Sequence, residues 1–308
     1  MKTAHAWPLP AQALLAGTSE RKCIILGLAD AWGAPSQRFA ILSDVHGNLV
    51  ALRAVLAELD ELGVREIVVA GDIVGFGPNP DDVVDLLVRR GAQLIRGNHE
   101  KDYVAPYATP AMSAHWLADP RLRGMIWSLD RLGPERRAFL AELPDSLQLD
   151  QSTLVVHGSL RHVRDSVLAS TPEAELNAMF AGDRSRLVFM GHTHRPLIRQ
   201  TTQRRLVNAG SVGLPLDGDP RASYALARRT PGPLDAWEVA VRRVAYDIEA
   251  AAIAYDNGLR DVDPGYVEIL SRQLRTGRDY YGAWLRLSRD VSEAELPLIL
   301  QNFLDEHP

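Results

Sequence analysis

Five apolar runs in this chain end in the same way, each followed closely by small and metal-ligating residues. Arg38-Phe-Ala-Ile-Leu42 leads into Asp44-Val-His46, and Glu66-Ile-Val-Val-Ala70 into Gly71-Asp72. Ala92-Gln-Leu-Ile95 leads into Gly97-Asn98-His99-Glu100, Thr153-Leu-Val-Val156 into His157-Gly158, and Leu187-Val-Phe-Met190 into Gly191-His192-Thr193-His194. Short runs of branched and aliphatic residues have the length and composition of buried strands. In an α/β sheet the loops leaving the carboxyl ends of the strands build the site, so the five motifs are expected to converge in one crevice.

Between the first three runs the apolar period changes to that of a helix. Leu49, Leu52, Val55, Leu56 and Leu59 recur at three- and four-residue spacing, with Asn48 placed as N-cap and Gly63 as the glycine that ends the helix. Asn79-Pro80 opens a second helix that continues through Val83, Val84, Leu87 and Val88. Alternating strands and helices imply βαβ units and a parallel sheet. Residues 111–143 read as mostly helical. Short β-type runs follow at Arg205–Val207, Ser223–Ala227 and Ala236–Val241, spaced like hairpins. Two amphipathic helices are expected at about 247–257 and 264–275.

The organisation expected is a leader over 1–37, a domain over 38–277 and a helical extension over 278–308. The leader carries no periodicity, and its one apolar stretch, Cys23 to Leu28, is too short for a signal-peptide core. The extension has an apolar face (Tyr280, Tyr281, Trp284, Leu296, Ile299, Leu300, Phe303) to bury, against its own domain or against a second copy in a homo-oligomer. No apolar run approaches the roughly 20 residues of a membrane helix, so no membrane partner is expected. A formal charge of −5 gives no support to charge-driven nucleic-acid binding. Cys23 is the single cysteine, which excludes an internal disulfide and favours a reducing, cytoplasmic location.

Five of the nine histidines lie in the strand-end motifs, with two aspartates and an asparagine. Imidazole and carboxylate together suit Mn, Fe, Zn or Co better than Ca or Mg, and the lack of cysteine ligands argues against a structural zinc site. So many ligands exceed what one catalytic ion with an open position can take. They suffice for two ions about 3.5–4 Å apart that share a carboxylate, the arrangement that clamps a phosphoryl group.

Asp-x-His, Gly-Asp, Gly-Asn-His-Glu, His and Gly-His-x-His, in this order and over residues 38–275, resemble the calcineurin-like metallophosphoesterases. The stretches Gly71-Asp-Ile-Val-Gly-Phe-Gly-Pro-Asn-Pro80 and Asn208-Ala-Gly-Ser-Val-Gly213 resemble the small bacterial phosphodiesterase branch. The resemblance implies a four-layer α/β/β/α sandwich, with the parallel strands of the first half in one sheet and the later hairpin strands in the second, where periodicity alone supports α/β with a later β-rich section. It implies two divalent ions, Mn first with Fe, Zn, Co or Ni as alternatives. Asp44, His46 and His194 would hold one ion, Asn98, His157 and His192 the other, and Asp72 would bridge them. His99 would be the catalytic histidine, protonating the leaving oxygen after in-line attack on phosphorus by a metal-bridging hydroxide.

Protein phosphatases of the superfamily carry Asp-Arg where this chain has Gly75-Phe76, so their phosphate-holding arginine is absent. A neutral, partly aromatic wall at that point suits a small phosphorylated, nucleotide-like or diester substrate. Two other functions are carried by the same fold family: a nuclease, which would need a basic groove, and a scaffold, which would not need the ligands retained here. Arg161, four residues after His157, stands either on a substrate phosphate or in a surface salt bridge. Glu100 either tunes the site from behind or starts a helix, and the run Asn208–Gly213 either lines the site with backbone N–H groups or makes turns. His115 and His162 lack a strand-end context, and His5 and His307 lie near the termini.

Overall fold

The structure is a computed structural model that describes residues 37–107, 118–230, 236–292 and 294–306. Of the expected leader only Gln37 falls within these, its carbonyl accepting from the Arg229 N–H. The rest of the leader, His5, His115 and His307 lie outside the described residues.

The first three apolar runs form parallel strands β1 (Arg38–Leu42), β2 (Glu66–Ala70) and β3 (Gln93–Ile95). They are linked by helices α1 (Leu49–Glu61) and α2 (Pro80–Arg89). Asn48 caps α1 through its side chain, which accepts from Ala51 N at 3.0 Å, and Gly63 follows the helix with φ +66°. Asn79 stands at the N-cap of α2 but makes no side-chain cap bond. After β3 the chain enters a π-helical turn, Glu100–Val104. Farther on lies α3 (Arg123–Ala141), interrupted at Gly133, so the helical expectation for 111–143 holds over the described part with a break before Pro134.

The second sheet is built from β4 (Ser146–Asp150), β5 (Thr153–Val156), β6 (Leu187–Met190), β7 (Leu197–Gln200) and β8 (Arg205–Asn208), in the order β4-β5-β6-β8-β7. A short helix, α4 (Glu173–Met179), precedes β6. The expected assignment of the later hairpin to this sheet is corrected. Strands β9 (Ala222–Thr230) and β10 (Ala236–Val244) extend the first sheet, β9 pairing antiparallel with β1 to give the order β10-β9-β1-β2-β3.

Alternation along the strands explains the layering. Phe39 and Ile41 of β1 meet Val155, Phe189 and Val207 of the second sheet, and the Phe39 and Phe189 rings stand edge to face at 5.5 Å. Ala40 and Leu42 point the other way, into a cluster with Leu52, Val55, Val83 and Leu87 of α1 and α2. Val156, Val188 and Leu206 face outward onto Leu176 and Met179 of α4. The result is helix, sheet, sheet, helix, with the central strands of both sheets buried on both faces.

Four further helices follow among the described residues: α5 (Ile248–Leu259), α6 (Pro264–Thr276), α7 (Tyr280–Leu287) and α8 (Leu296–Glu306). Tyr280, Tyr281, Trp284 and Phe303 are buried in one cluster with Tyr255, Tyr266 and Leu270. Leu296, Ile299 and Leu300 of the same face pack against this cluster and stay half-buried. Gln273 Oε1 accepts from both Tyr280 N and Tyr281 N at 3.1 Å, which ties the start of α7 to α6.

Candidate active site

The loops after β1, β2, β3, β5 and β6 meet at one end of the two sheets. Five of the residues they carry, Asp44, His46, Asp72, His192 and His194, have φ between 49° and 69°. They are the only non-glycine residues with positive φ among those described. Such backbone costs of order 1–3 kcal/mol per residue and persists only where the surroundings impose it.

Each carboxylate is held by one oxygen and presents the other. Asp72 Oδ1 accepts from His99 N at 2.8 Å, and Asp44 Oδ2 from His192 N at 3.0 Å. Asp72 Oδ2 lies 3.4 Å from His157 Nε2, 3.7 Å from His46 Nε2 and 3.9 Å from His99 Nε2. Asp44 Oδ1 lies 3.3 Å from His194 Nε2. Asn98 Oδ1 sits 3.1 Å from His157 Nε2 and 2.8 Å from His192 Nδ1. Two ligand groups result, Asp44, His46, Asp72 and His194 in one and Asp72, His157 and His192 in the other, with Asp72 common to both.

Backbone carbonyls orient the rings. His46 Nδ1 faces Val74 O at 3.3 Å, His157 Nδ1 faces Ala70 O at 2.7 Å, and His194 Nδ1 faces Leu214 O at 2.6 Å. With Nδ1 donating to a carbonyl, Nε2 is left to act as a ligand. The Nε2 atoms of His46 and His194 are 3.0 Å apart, a distance that is repulsive between lone pairs unless a proton or cation intervenes. Asp44 Oδ1 is buried without a geometrically formed hydrogen bond and has the His194 imidazole, 3.3 Å away, beside it, the kind of buried anionic oxygen that calls for a cation. Divalent cations satisfy both defects, and the donor set fits first-row metals.

Burial opposes charge on the Asp72 carboxyl, but the imidazoles of His157 and His99 hold it well below the usual carboxylate range. Burial likewise opposes a charge on His157, yet Asp72 raises that imidazole to about 10. Burial pushes His192 down to about 4. Without metal, a proton on His157 offsets the charge of Asp72.

Glu100 lies behind the ligands and is completely buried. Its Oε2 accepts from Asp72 N at 2.9 Å and Gly97 N at 2.8 Å, and its Oε1 from Ile73 N at 2.8 Å and Val74 N at 3.2 Å. One carboxylate therefore binds the Asp72 loop to the loop carrying Asn98 and His99. Burial and the Asp72 charge push its carboxyl up to about 7, while the amide donors act in the opposite direction. The loops also approach so closely that a Cβ on Gly75 would strike His99 Nδ1, and one on Gly97 would strike Asp72 Oδ1.

The remaining sequence candidates divide. Val212 N and Gly213 N bond to the carbonyls of Ser43 and Asp44, so these amides of the Asn208–Gly213 run brace the Asp44 loop instead of facing the site. Arg161 is tied to Asp165 at 2.9 Å and to Glu175 at 2.8 Å, which is the salt-bridge alternative. His162 Nδ1 accepts from Arg164 N. Beside the ligands is a crevice of about 240 Å³ lined by Asp72, Asn98, His99, His192 and His194 and walled by Phe76, Tyr103, Tyr281 and Leu285. Its lining includes Arg164 and does not include Arg161. The strand-end rule could not find Arg164, because the turn after His157 sets which arginine comes forward.

The model of the calcineurin-like phosphoesterase superfamily domain matches residues 38–230. A metallophosphoesterase structure from Sphaerobacter thermophilus superposes with a TM-score of 0.62 at 31% identity, covering 78% of this chain and 99% of that one. An uncharacterised protein of Methanocaldococcus jannaschii is 26% identical over 232 residues, 69% of this chain and 89% of that protein. Phosphodiesterase YfcE of Escherichia coli K12 is 26% identical over 194 residues, 60% of this chain and 83% of that protein. With the domain match spanning more than half of its length, the chain belongs to the calcineurin-like phosphoesterase superfamily.

Proposed function

We propose that the chain is a dinuclear, metal-dependent phosphodiesterase, with phosphomonoesterase activity as a secondary capacity, that hydrolyses small phosphorylated or nucleotide-like substrates. The observation that carries this reading is the pair of ligand groups sharing Asp72. Asp44, His46, Asp72 and His194 would hold one cation, and Asp72, Asn98, His157 and His192 the other, with Mn the first candidate. Bound there, two divalent ions supply an activated water and neutralise charge on the phosphoryl group. Relationship to a phosphodiesterase at 26% identity supports the diester preference.

The chain's own part is positional and acid–base. His99 lines the crevice, with Nε2 on the Asp72 side at 3.9 Å and Nδ1 buried without a partner. We assign His99 Nε2 the proton delivered to the leaving oxygen. Phe76 packs between His99 at 4.7 Å and Tyr281 at 5.2 Å and forms the aromatic wall where an arginine would stand in a protein phosphatase. No helix among the described residues is long and apolar enough to cross a membrane, and the single cysteine supports action in the cytoplasm.

The test is hydrolysis of bis-p-nitrophenyl phosphate by chelator-stripped protein with Mn²⁺ restored. Activity should return with metal and fall by about 10²–10⁴ in His99→Ala. Failure with each of Mn²⁺, Co²⁺, Ni²⁺, Fe²⁺ and Zn²⁺ would refute the diesterase reading.

A further inference from the structure

We propose that Arg164 binds an anionic phosphate oxygen of the substrate, in a subsite between the ligand cluster and α7; the assignment rests on the phosphoesterase reading above. Arg164 is the one permanent cation among the described residues that line the crevice. Its side chain is 43% exposed and therefore reachable by a ligand. It is also pre-positioned: Nε bonds to Asp102 Oδ2 at 2.5 Å, and the guanidinium carbon stands 5.6 Å from the Tyr103 ring centroid. A guanidinium placed beside a ring and anchored through Nε can offer its Nη edge to a phosphate with little loss of freedom.

The opposite wall comes from outside the family domain. Residues 38–230 match the family model, yet Tyr281, Gly282 and Leu285 of α7 line the same crevice. An oxygen held by Arg164 would leave the organic group of the substrate against Leu285, Phe76 and Tyr281. That pairing of one cation with an apolar, aromatic wall suits an aryl or nucleoside phosphate ester. It also accounts for a fold that lacks the Asp-Arg pair at Gly75-Phe76: the cation enters from the loop after β5 instead.

The experiment compares wild type, Arg164→Ala and Arg164→Lys, each loaded with Mn²⁺. Steady-state kinetics on bis-p-nitrophenyl phosphate are measured together with calorimetric binding of inorganic phosphate and of ADP. Arg164→Ala should raise KM or weaken phosphate binding roughly tenfold or more, with metal content unchanged, and Arg164→Lys should recover part of the loss. Weakening for ADP alone would place Arg164 on a flanking phosphate; weakening for all three would place it on the reacting one. The proposal is overturned if all three stay within twofold of wild type, or if Arg161→Ala reproduces the loss and Arg164→Ala does not. Should wild type hydrolyse nothing, the phosphoesterase reading fails, while the two binding titrations still decide the role of Arg164.

Discussion

Replacing Glu100 by Gln is a near-isosteric change at the carboxylate that binds two ligand-bearing loops together. In the native protein four backbone N–H groups, those of Asp72, Ile73, Val74 and Gly97, converge on its two oxygens. In Glu100→Gln one oxygen becomes an NH₂ group, which cannot accept, so two buried N–H groups lose their acceptor and face a donor. Each unsatisfied buried group costs about 1–3 kcal/mol, giving roughly 2–6 kcal/mol against a total stability of about 5–15 kcal/mol. At this size about 2 °C accompanies each kcal/mol, so the melting temperature should drop by roughly 4–12 °C. Because Asp72 and Asn98 ride on the affected loops, Mn²⁺ affinity should fall as well. Glu100→Asp keeps the charge but shortens the reach and should sit between wild type and Gln. Urea denaturation and a Mn²⁺ titration measure both effects. A loss below about 1 kcal/mol in Glu100→Gln with unchanged metal affinity would refute the argument.

Other consequences follow from the same geometry. His157, raised to about 10 by Asp72 despite burial, is protonated at neutral pH without metal. Metal uptake must displace that proton, so Mn²⁺ addition should acidify a weakly buffered solution and affinity should rise with pH; no proton release would contradict this. The same raised imidazole stabilises the metal-free fold below the unfolded value of about 6.5, a contribution lost as pH rises toward about 10. Metal-free protein should therefore lose stability across that window, as read by thermal melts. Far from the site, the buried Arg204 bonds to Asp183 at 2.6 Å and lies over the Phe180 ring. Asp183→Ala would strand that charge and cost about 3–5 kcal/mol in denaturation, while activity per folded molecule should stay unchanged.

Strands covered on both faces announce themselves as continuous apolar runs, which is why β1, β2, β5 and β6 and the motifs after them were legible in the sequence. Strands half exposed at an edge do not. In β7, Leu197, Ile198, Arg199 and Gln200 alternate between half-buried and exposed, and in β4 only Leu149 is fully buried, so neither stands out from a loop. Joining β9 to β1 pairs Arg38 with Arg228 across most of the chain, a register no local pattern encodes. Ligand candidates were readable because a metal site needs rare residue types. Arg164 was not, because arginine is abundant here and the reach of a loop, not its composition, decides which one enters the crevice. Tyr281 read as an apolar core residue of the extension, and it is buried; its second role as a crevice wall depends on how α7 packs on α6.

The claim that two cations share Asp72 is tested most directly by counting them. Chelator-stripped protein would be titrated with Mn²⁺ and the bound metal measured per chain by elemental analysis and electron paramagnetic resonance. Two equivalents with a spin-coupled signal are expected in wild type, and Asp72→Ala should lose the coupling together with at least one equivalent. Saturation at a single uncoupled ion in wild type, or two coupled ions retained in Asp72→Ala, would contradict the bridged site.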